Sequence, residues 1–144
     1  MSDIAPTRFF RIEEWDSAHA KASPYPREWA ETRWRPLAET LDLIRLAVSK
    51  PIVVCPSGGY RSPEHNKAIG GAPRSQHMEG RAADIVCRGL AAPDLHAIIL
   101  RLYEGGALPG LSGLGKYDRF VHIDVGGPRL IGGIRRWSGK RTEA

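Results

Sequence analysis

Arg119-Phe120-Val121-His122-Ile123-Asp124-Val125 decides how this chain is read. Val121, Ile123 and Val125 alternate with Phe120, His122 and Asp124, the period of two expected when successive side chains leave opposite faces of a strand. One face is β-branched and calls for a core, while the other sets an imidazole beside a carboxylate. A second strand is predicted over Ala82-Ala83-Asp84-Ile85-Val86-Cys87, apolar except for Asp84. A carboxylate buried in such surroundings is costly unless a cation or strong donors accompany it. Two buried strands, each carrying ionisable groups, point to a mixed α+β domain with a small antiparallel sheet on one side and helices on the other.

The flanking sequence supplies the helices. Leu37, Leu41, Ile44 and Val48 recur at helical spacing, so Arg35 to Ser49 is predicted as a helix ended by Pro51. Ile52 to Cys55 follows as a short strand. Pro93 at a first helical turn, then Leu95, Ile98, Ile99 and Leu102 with Gly105 beyond, predicts a helix of about ten residues. A short helix is expected over Ile12 to Ala20, and a last strand around Arg136-Trp137. Ser57 to Gln76 reads as a long polar loop, and loops of that length in compact domains are usually functional. Gly105 to Gly115 reads as a glycine-rich connection.

Composition bounds the rest. The chain has 144 residues, with 21 Lys+Arg against 16 Asp+Glu and a formal net charge of +5. That length suits one domain over 1–144, with an irregular aromatic segment at about 1–30 and a basic tail at about 138–144. No apolar run approaches the roughly 20 residues of a membrane span. Met1 to Arg11 lacks the apolar stretch of a secretory signal, so synthesis in the cytoplasm is expected. The densest basic cluster, Arg135, Arg136, Lys140 and Arg141, comes with no nucleic-acid-binding motif, and charge alone does not establish such a partner. Cys55 and Cys87, each at the end of an apolar run, are expected to be free buried thiols.

Three features carry chemistry: the loop Ser57-Gly58-Gly59-Tyr60-Arg61-Ser62, the stretch from Ser75-Gln76-His77 to Asp84, and the strand bearing His122 and Asp124. Polar groups on core strands converge most economically on one ion, which gives His77, Asp84 and His122 as ligands. Two imidazoles and a carboxylate suit Zn²⁺ with a fourth position open, and also non-haem iron; zinc is preferred because no oxygenase feature accompanies the set. The reaction class is then metal-assisted hydrolysis. A carboxylate must take the proton of the attacking water, and Asp124, on the face of His122, is the first candidate. Asp118 is the second and Glu79 the third. Arg61 would hold a substrate carboxylate or a developing oxyanion, or else brace the loop against an acid.

Ser57-Gly58-Gly59-Tyr60-Arg61-Ser62, Asn66, Gly70-Gly71-Ala72, Ser75-x-His77, Gly80-x-Ala82-x-Asp84, Gly113-x-Gly115-x-Tyr117, Phe120-Val121-His122-x-Asp124 and Arg136-Trp137 together resemble the zinc D-Ala-D-Ala carboxypeptidases, in their compact branch of cell-wall hydrolases and phage endolysins. The resemblance spans about Leu37 to Gly139. It implies the fold shared with the hedgehog signalling domain, His77, Asp84 and His122 as zinc ligands, and Arg61 as a substrate-orienting arginine. It also implies supporting roles near substrate for Tyr60, Ser75 and Tyr117. Several branches carry the catalytic acid three residues before the last histidine, where this chain has Arg119. The function so implied is hydrolysis of peptidoglycan stem or cross-bridge peptides, as a D-Ala-D-Ala carboxypeptidase or as an endopeptidase at an L-Ala–D-Glu bond or a cross-link, by a monomer with no nucleic-acid or membrane partner. Such a protein acts on the wall and is of phage or prophage type. The alternative is a non-catalytic zinc-binding module of the same fold.

Overall fold

A computed structural model describes residues 3–17, 23–127 and 132–139. Three helices, α1 (Arg35–Val48), α2 (Pro63–Ala68) and α3 (Ala92–Glu104), accompany five strands. The strands are β1 (Ile52–Val54), β2 (Ala82–Cys87), β3 (Gly113–Lys116), β4 (Val121–Asp124) and β5 (Arg135–Ser138), in the order β1-β2-β4-β3-β5.

The sheet is mixed. β1–β2, β2–β4 and β4–β3 pair antiparallel as expected, but β3 and β5 run parallel. Asp124 at the end of β4 and Arg135 at the start of β5 both lie opposite Gly113, so β5 sets out on the far side of β3 from the end where β4 finishes. A strand reached that way must run alongside β3 in the same direction.

α3 packs on β2, β3 and β4 and meets α1, which closes the core from that side. Val121 and Ile123 of β4 join Ile85, Leu95, Ile99 and Leu114 there, with no measurable exposure. Trp15 and Trp34 stack edge-to-face at 5.8 Å in the same core, each fully buried. Asp42, on α1, ties the start of the described chain down by accepting from the Thr7 hydroxyl and from the backbone N–H groups of Arg8 and Phe9.

Several boundaries differ from the sequence expectation for identifiable reasons. α1 is preceded by a 3₁₀ turn at Arg27–Trp29 and a π turn at Ala30–Trp34. Pro36 cannot donate to the carbonyl four residues back and its ring crowds that carbonyl, so a wider turn there relieves the clash. The predicted helix from Ile12 is a single 3₁₀ turn, Ile12–Trp15, and its predicted end at 18–20 lies outside the described residues. The loop 57–76 contains α2, capped by the Ser62 hydroxyl, which accepts from the His65 N–H, with Pro63 in the first turn. The glycine-rich connection holds β3. Lys140 and Arg141 of the basic cluster, and most of the tail, lie outside the described residues.

No helix among the described residues is long and apolar enough to cross a membrane. Both cysteines are free; Cys87 is buried, but Cys55 is half-buried rather than fully so. Burial pushes the Cys55 thiol up to about 12, with Asp84 nearby adding to the shift.

Candidate metal centre

The site is built from two rows of cross-strand neighbours. Register places Asp84 (β2), His122 (β4), Gly115 (β3) and Trp137 (β5) in one row. The next row holds Ala82, Asp124, Gly113 and Arg135. Strands two apart in a sheet are nearly 10 Å apart, and side chains in between normally separate theirs. Here β3 contributes glycine in both rows. Side chains of β4 and β5 therefore meet across it: the His122 and Trp137 ring centroids are 5.0 Å apart, and Arg135 Nη2 donates to Asp124 Oδ1. A Cβ at Gly113 would collide with the Asp124 carboxylate, and one at Gly115 would stand 2.7 Å from the Trp137 indole.

The loop between β1 and β2 brings in the third ligand. Gly58 lies against Asp84, whose N–H donates to the Gly58 carbonyl, and a Cβ at Gly59 would overlap the backbone of Trp15. That close approach aims the Gly59 carbonyl at His77 Nδ1, 2.9 Å away. Farther along, the Ser75 hydroxyl accepts from the His77 N–H.

His77, Asp84 and His122 are all buried, and their ligand atoms lie within 4.8 Å of one another. His77 Nε2 is 3.2 Å and His122 Nδ1 3.0 Å from Asp84 Oδ1. Ligands about 2.0 Å from a tetrahedral zinc stand roughly 3.3 Å apart, so both spacings fit. The outer partners fit as well. His77 Nδ1 faces a carbonyl and His122 Nε2 faces Asp124 Oδ2 at 2.8 Å; both partners only accept, so both outer nitrogens carry the proton. That leaves His77 Nε2 and His122 Nδ1 aimed at a carboxylate oxygen, an arrangement that either a shared proton or a metal cation among them satisfies.

The ionisation of the cluster expresses the same requirement. Burial pushes the His77 imidazole below its ordinary value, against the pull of Asp84. Burial also opposes the charged form of His122, but hydrogen bonds to Asp124 and Asp84, with their charges, prevail and raise it to about 9. Asp84 is penalised by burial too, yet the two imidazoles hold its carboxyl well below the usual range. A bound zinc would take the place of the His122 proton.

The remaining predicted residues divide sharply. Arg61, 2% exposed, donates from Nε to the Ser57 carbonyl, from Nη1 to Asn66 and from Nη2 to Asp84 Oδ2 at 3.1 Å. It braces the loop and holds the outer oxygen of Asp84, leaving Oδ1 to the metal position. Asp124 is fully buried on the far nitrogen of His122, its other oxygen held by Arg135. Tyr60 packs edge-to-face against Tyr25 and Trp29, outside the cavity. Asp118 and Arg119 are exposed on the turn between β3 and β4, and neither lines the cavity; Glu79 is exposed on the rim of neighbouring hollows. Ser75 and Tyr117 do line it, in a space of about 220 Å³ whose lining also includes His77, Asp84 and His122.

Two residues were not singled out as site residues from the sequence. In the sequence Arg135 stands out only as part of a basic cluster, and Trp137 only as part of a short strand and of the closing Arg136-Trp137 of the resemblance. Trp137 forms a cavity wall, donating from its indole N–H to the Tyr117 hydroxyl, while Tyr117 stacks on Phe120 at 4.5 Å. The spacing Gly113-x-Gly115 was the available signal for both, since paired glycines in a strand mark close approach.

Comparison with known proteins agrees with this geometry. A stretch of 90 residues is 33% identical to the zinc D-Ala-D-Ala carboxypeptidase of Streptomyces albus G, covering 58% of this chain and 32% of that protein. The chain thus spans about a third of the length of this curated relative. The family model described as Peptidase M15 matches residues 13–124, which include His77, Asp84, His122 and the loop that carries Arg61, and the chain belongs to that family.

Proposed function

We propose that this chain is a zinc-dependent peptidase that hydrolyses peptidoglycan peptides, at a D-Ala-D-Ala or an L-Ala–D-Glu bond. The observation that carries the reading is the convergence of two imidazole nitrogens and one carboxylate oxygen, all buried, in the lining of one cavity. The name of the relative, a zinc D-Ala-D-Ala carboxypeptidase, supports the substrate class. Bound zinc would supply Lewis acidity, lowering the pKa of a water and polarising the scissile carbonyl.

The chain's own residues do the rest. His77, Asp84 and His122 would hold the ion. Arg61 and Asn66 keep Asp84 oriented, and Asp124 with Arg135 keeps His122 oriented. Tyr117 accepts from Trp137 Nε1–H, so its own hydroxyl proton remains available for a substrate oxygen in the cavity. The net charge of +5 favours encounter with an anionic wall polymer, an effect on association rate rather than on specificity. The finer reading is a wall hydrolase of endolysin type, which zymography on purified cell walls tests.

One observation favours a second reading, a zinc-holding module without turnover. Among the described residues, Asp84 and Asp124 are the carboxylates lining the cavity, and both are engaged in holding the ligand set. Digestion of purified muropeptides with mass analysis, alongside metal analysis, separates the two. Release of D-Ala or scission after L-Ala, with about one zinc per chain, supports the peptidase. Stoichiometric zinc without product supports the module, and absence of zinc overturns both.

A further inference from the structure

Three guanidinium groups line the cavity, and they are not equivalent. Arg61 is buried and committed to Ser57, Asn66 and Asp84. Arg135 is committed to Asp124 and to the Gly126 carbonyl. Arg74 is exposed and makes no hydrogen bond or ion pair with any described residue. It stands in the turn just before His77, where the cavity meets an adjoining hollow of about 440 Å³; Arg74, Ser75 and Gln76 form the wall common to both. The same wall carries an unsatisfied group, since Gln76 Oε1 is shielded from solvent with no partner.

The two candidate peptide bonds share one chemical feature. In D-Ala-D-Ala the leaving amine belongs to a residue whose α-carbon bears the terminal carboxylate. In an L-Ala–D-Glu bond continued through the γ-carboxyl, the leaving amine again sits on an α-carbon bearing a free carboxylate. Either substrate therefore carries a negative charge one carbon from the scissile nitrogen. A guanidinium beside the ligand set is suited to it, because its fork pairs both carboxylate oxygens at once. Arg61 cannot turn to that task without releasing Asp84.

Resting on the peptidase reading above, we propose that Arg74 is the specificity residue that pairs with the carboxylate on the amine side of the scissile bond. Its exposure suits the role, since a pairing cation must be reachable before substrate arrives and is desolvated only when substrate covers it. Peptides in which this carboxylate is a carboxamide then lose the contact. The chain beyond a γ-linked residue runs on into the adjoining hollow.

The test uses the zinc-loaded protein and the pentapeptide L-Ala-γ-D-Glu-L-Lys-D-Ala-D-Ala, which contains both candidate bonds. Two analogues are amidated at the D-Glu α-carboxyl or at the C-terminus, and product masses report the bond cut. Arg74→Gln is expected to raise KM about tenfold on the peptide with the free carboxylate beside the cut bond, with kcat and zinc content retained. On the matching carboxamide the variant-to-wild-type ratio falls to near one, and Arg74→Lys recovers part of the loss. An unchanged KM, or an equal loss on the carboxamide, overturns the proposal. If wild type cuts none of these peptides, the peptidase reading fails separately. Calorimetric Kd values on the same zinc-loaded protein then decide about Arg74: a tenfold weakening by Arg74→Gln, confined to the free carboxylate, sustains it. No measurable binding, or equal weakening on both peptides, overturns it.

Discussion

Asp124→Asn isolates the role of the second carboxylate. The substitution is nearly isosteric, so the strand and its neighbours are retained, but the accepting capacity changes. Asp124 offers one oxygen to His122 Nε2–H and the other to Arg135 Nη2–H. An asparagine has a single carbonyl for two donors. If it serves Arg135, its NH₂ faces His122, and the imidazole must place its lone pair on Nε2 and its proton on Nδ1, where the metal should sit. If it serves His122, the NH₂ opposes a guanidinium held against Gly113. Loss of such an outer partner typically weakens metal binding 10- to 100-fold, or about 1.4–2.7 kcal/mol. Zinc affinity measured by competition with a chromophoric chelator should fall by that factor, and Arg135→Gln should produce a smaller loss in the same direction. The double variant should lose less than the sum, because both act through one carboxylate. Zinc affinity within twofold of wild type, with turnover abolished, would refute this reasoning and mark Asp124 as the proton acceptor.

Other consequences follow from the same packing. Arg61→Ala leaves the buried Asp84 Oδ2 without its cation and should destabilise the protein by about 3–5 kcal/mol in urea unfolding, whereas a loss under 1 kcal/mol would mean the brace is not structural. Gly115→Val drives a side chain into the Trp137 indole and should cost about 1–3 kcal/mol, with a change in tryptophan emission as the ring leaves His122. Cys55, with its thiol pushed up to about 12, is protonated at pH 8, so alkylation there should be on the order of a thousandfold slower than for a free cysteine and accelerate as pH rises; a rate near that of free cysteine would contradict its burial.

The elements legible in the sequence are those whose periodicity reports their burial. α1, β2 and α3 were found because one face of each carries an unbroken apolar pattern, and β4 because its alternation is clean. β3 was hidden because Gly-Leu-Gly-Lys has low strand propensity; its glycines are there for the sake of neighbours two strands away, which no local window contains. α2 was hidden because six residues are too few to show a period, although Ser62-Pro63-Glu64 carries a start signal. His77, Asp84 and His122 were legible because a charge among apolar residues needs an explanation wherever it is buried.

The sequence by itself determined the two polar interruptions of buried strands, the ligand types and the family resemblance, since these depend on residue identity and local pattern. Tertiary structure alone decided which partners each arginine and carboxylate meets. Asp124 and Arg61 look like reactive groups in the sequence, yet the fold places Asp124 behind His122 and Arg61 behind Asp84, while Arg74, in an undistinguished turn, faces the open space. The reason is geometric: a charged side chain's surroundings depend on which partner lies within about 3 Å, and although His122 is only two positions from Asp124, Arg135 is 11 from Asp124, and Asp84 is 23 from Arg61 and 38 from His122.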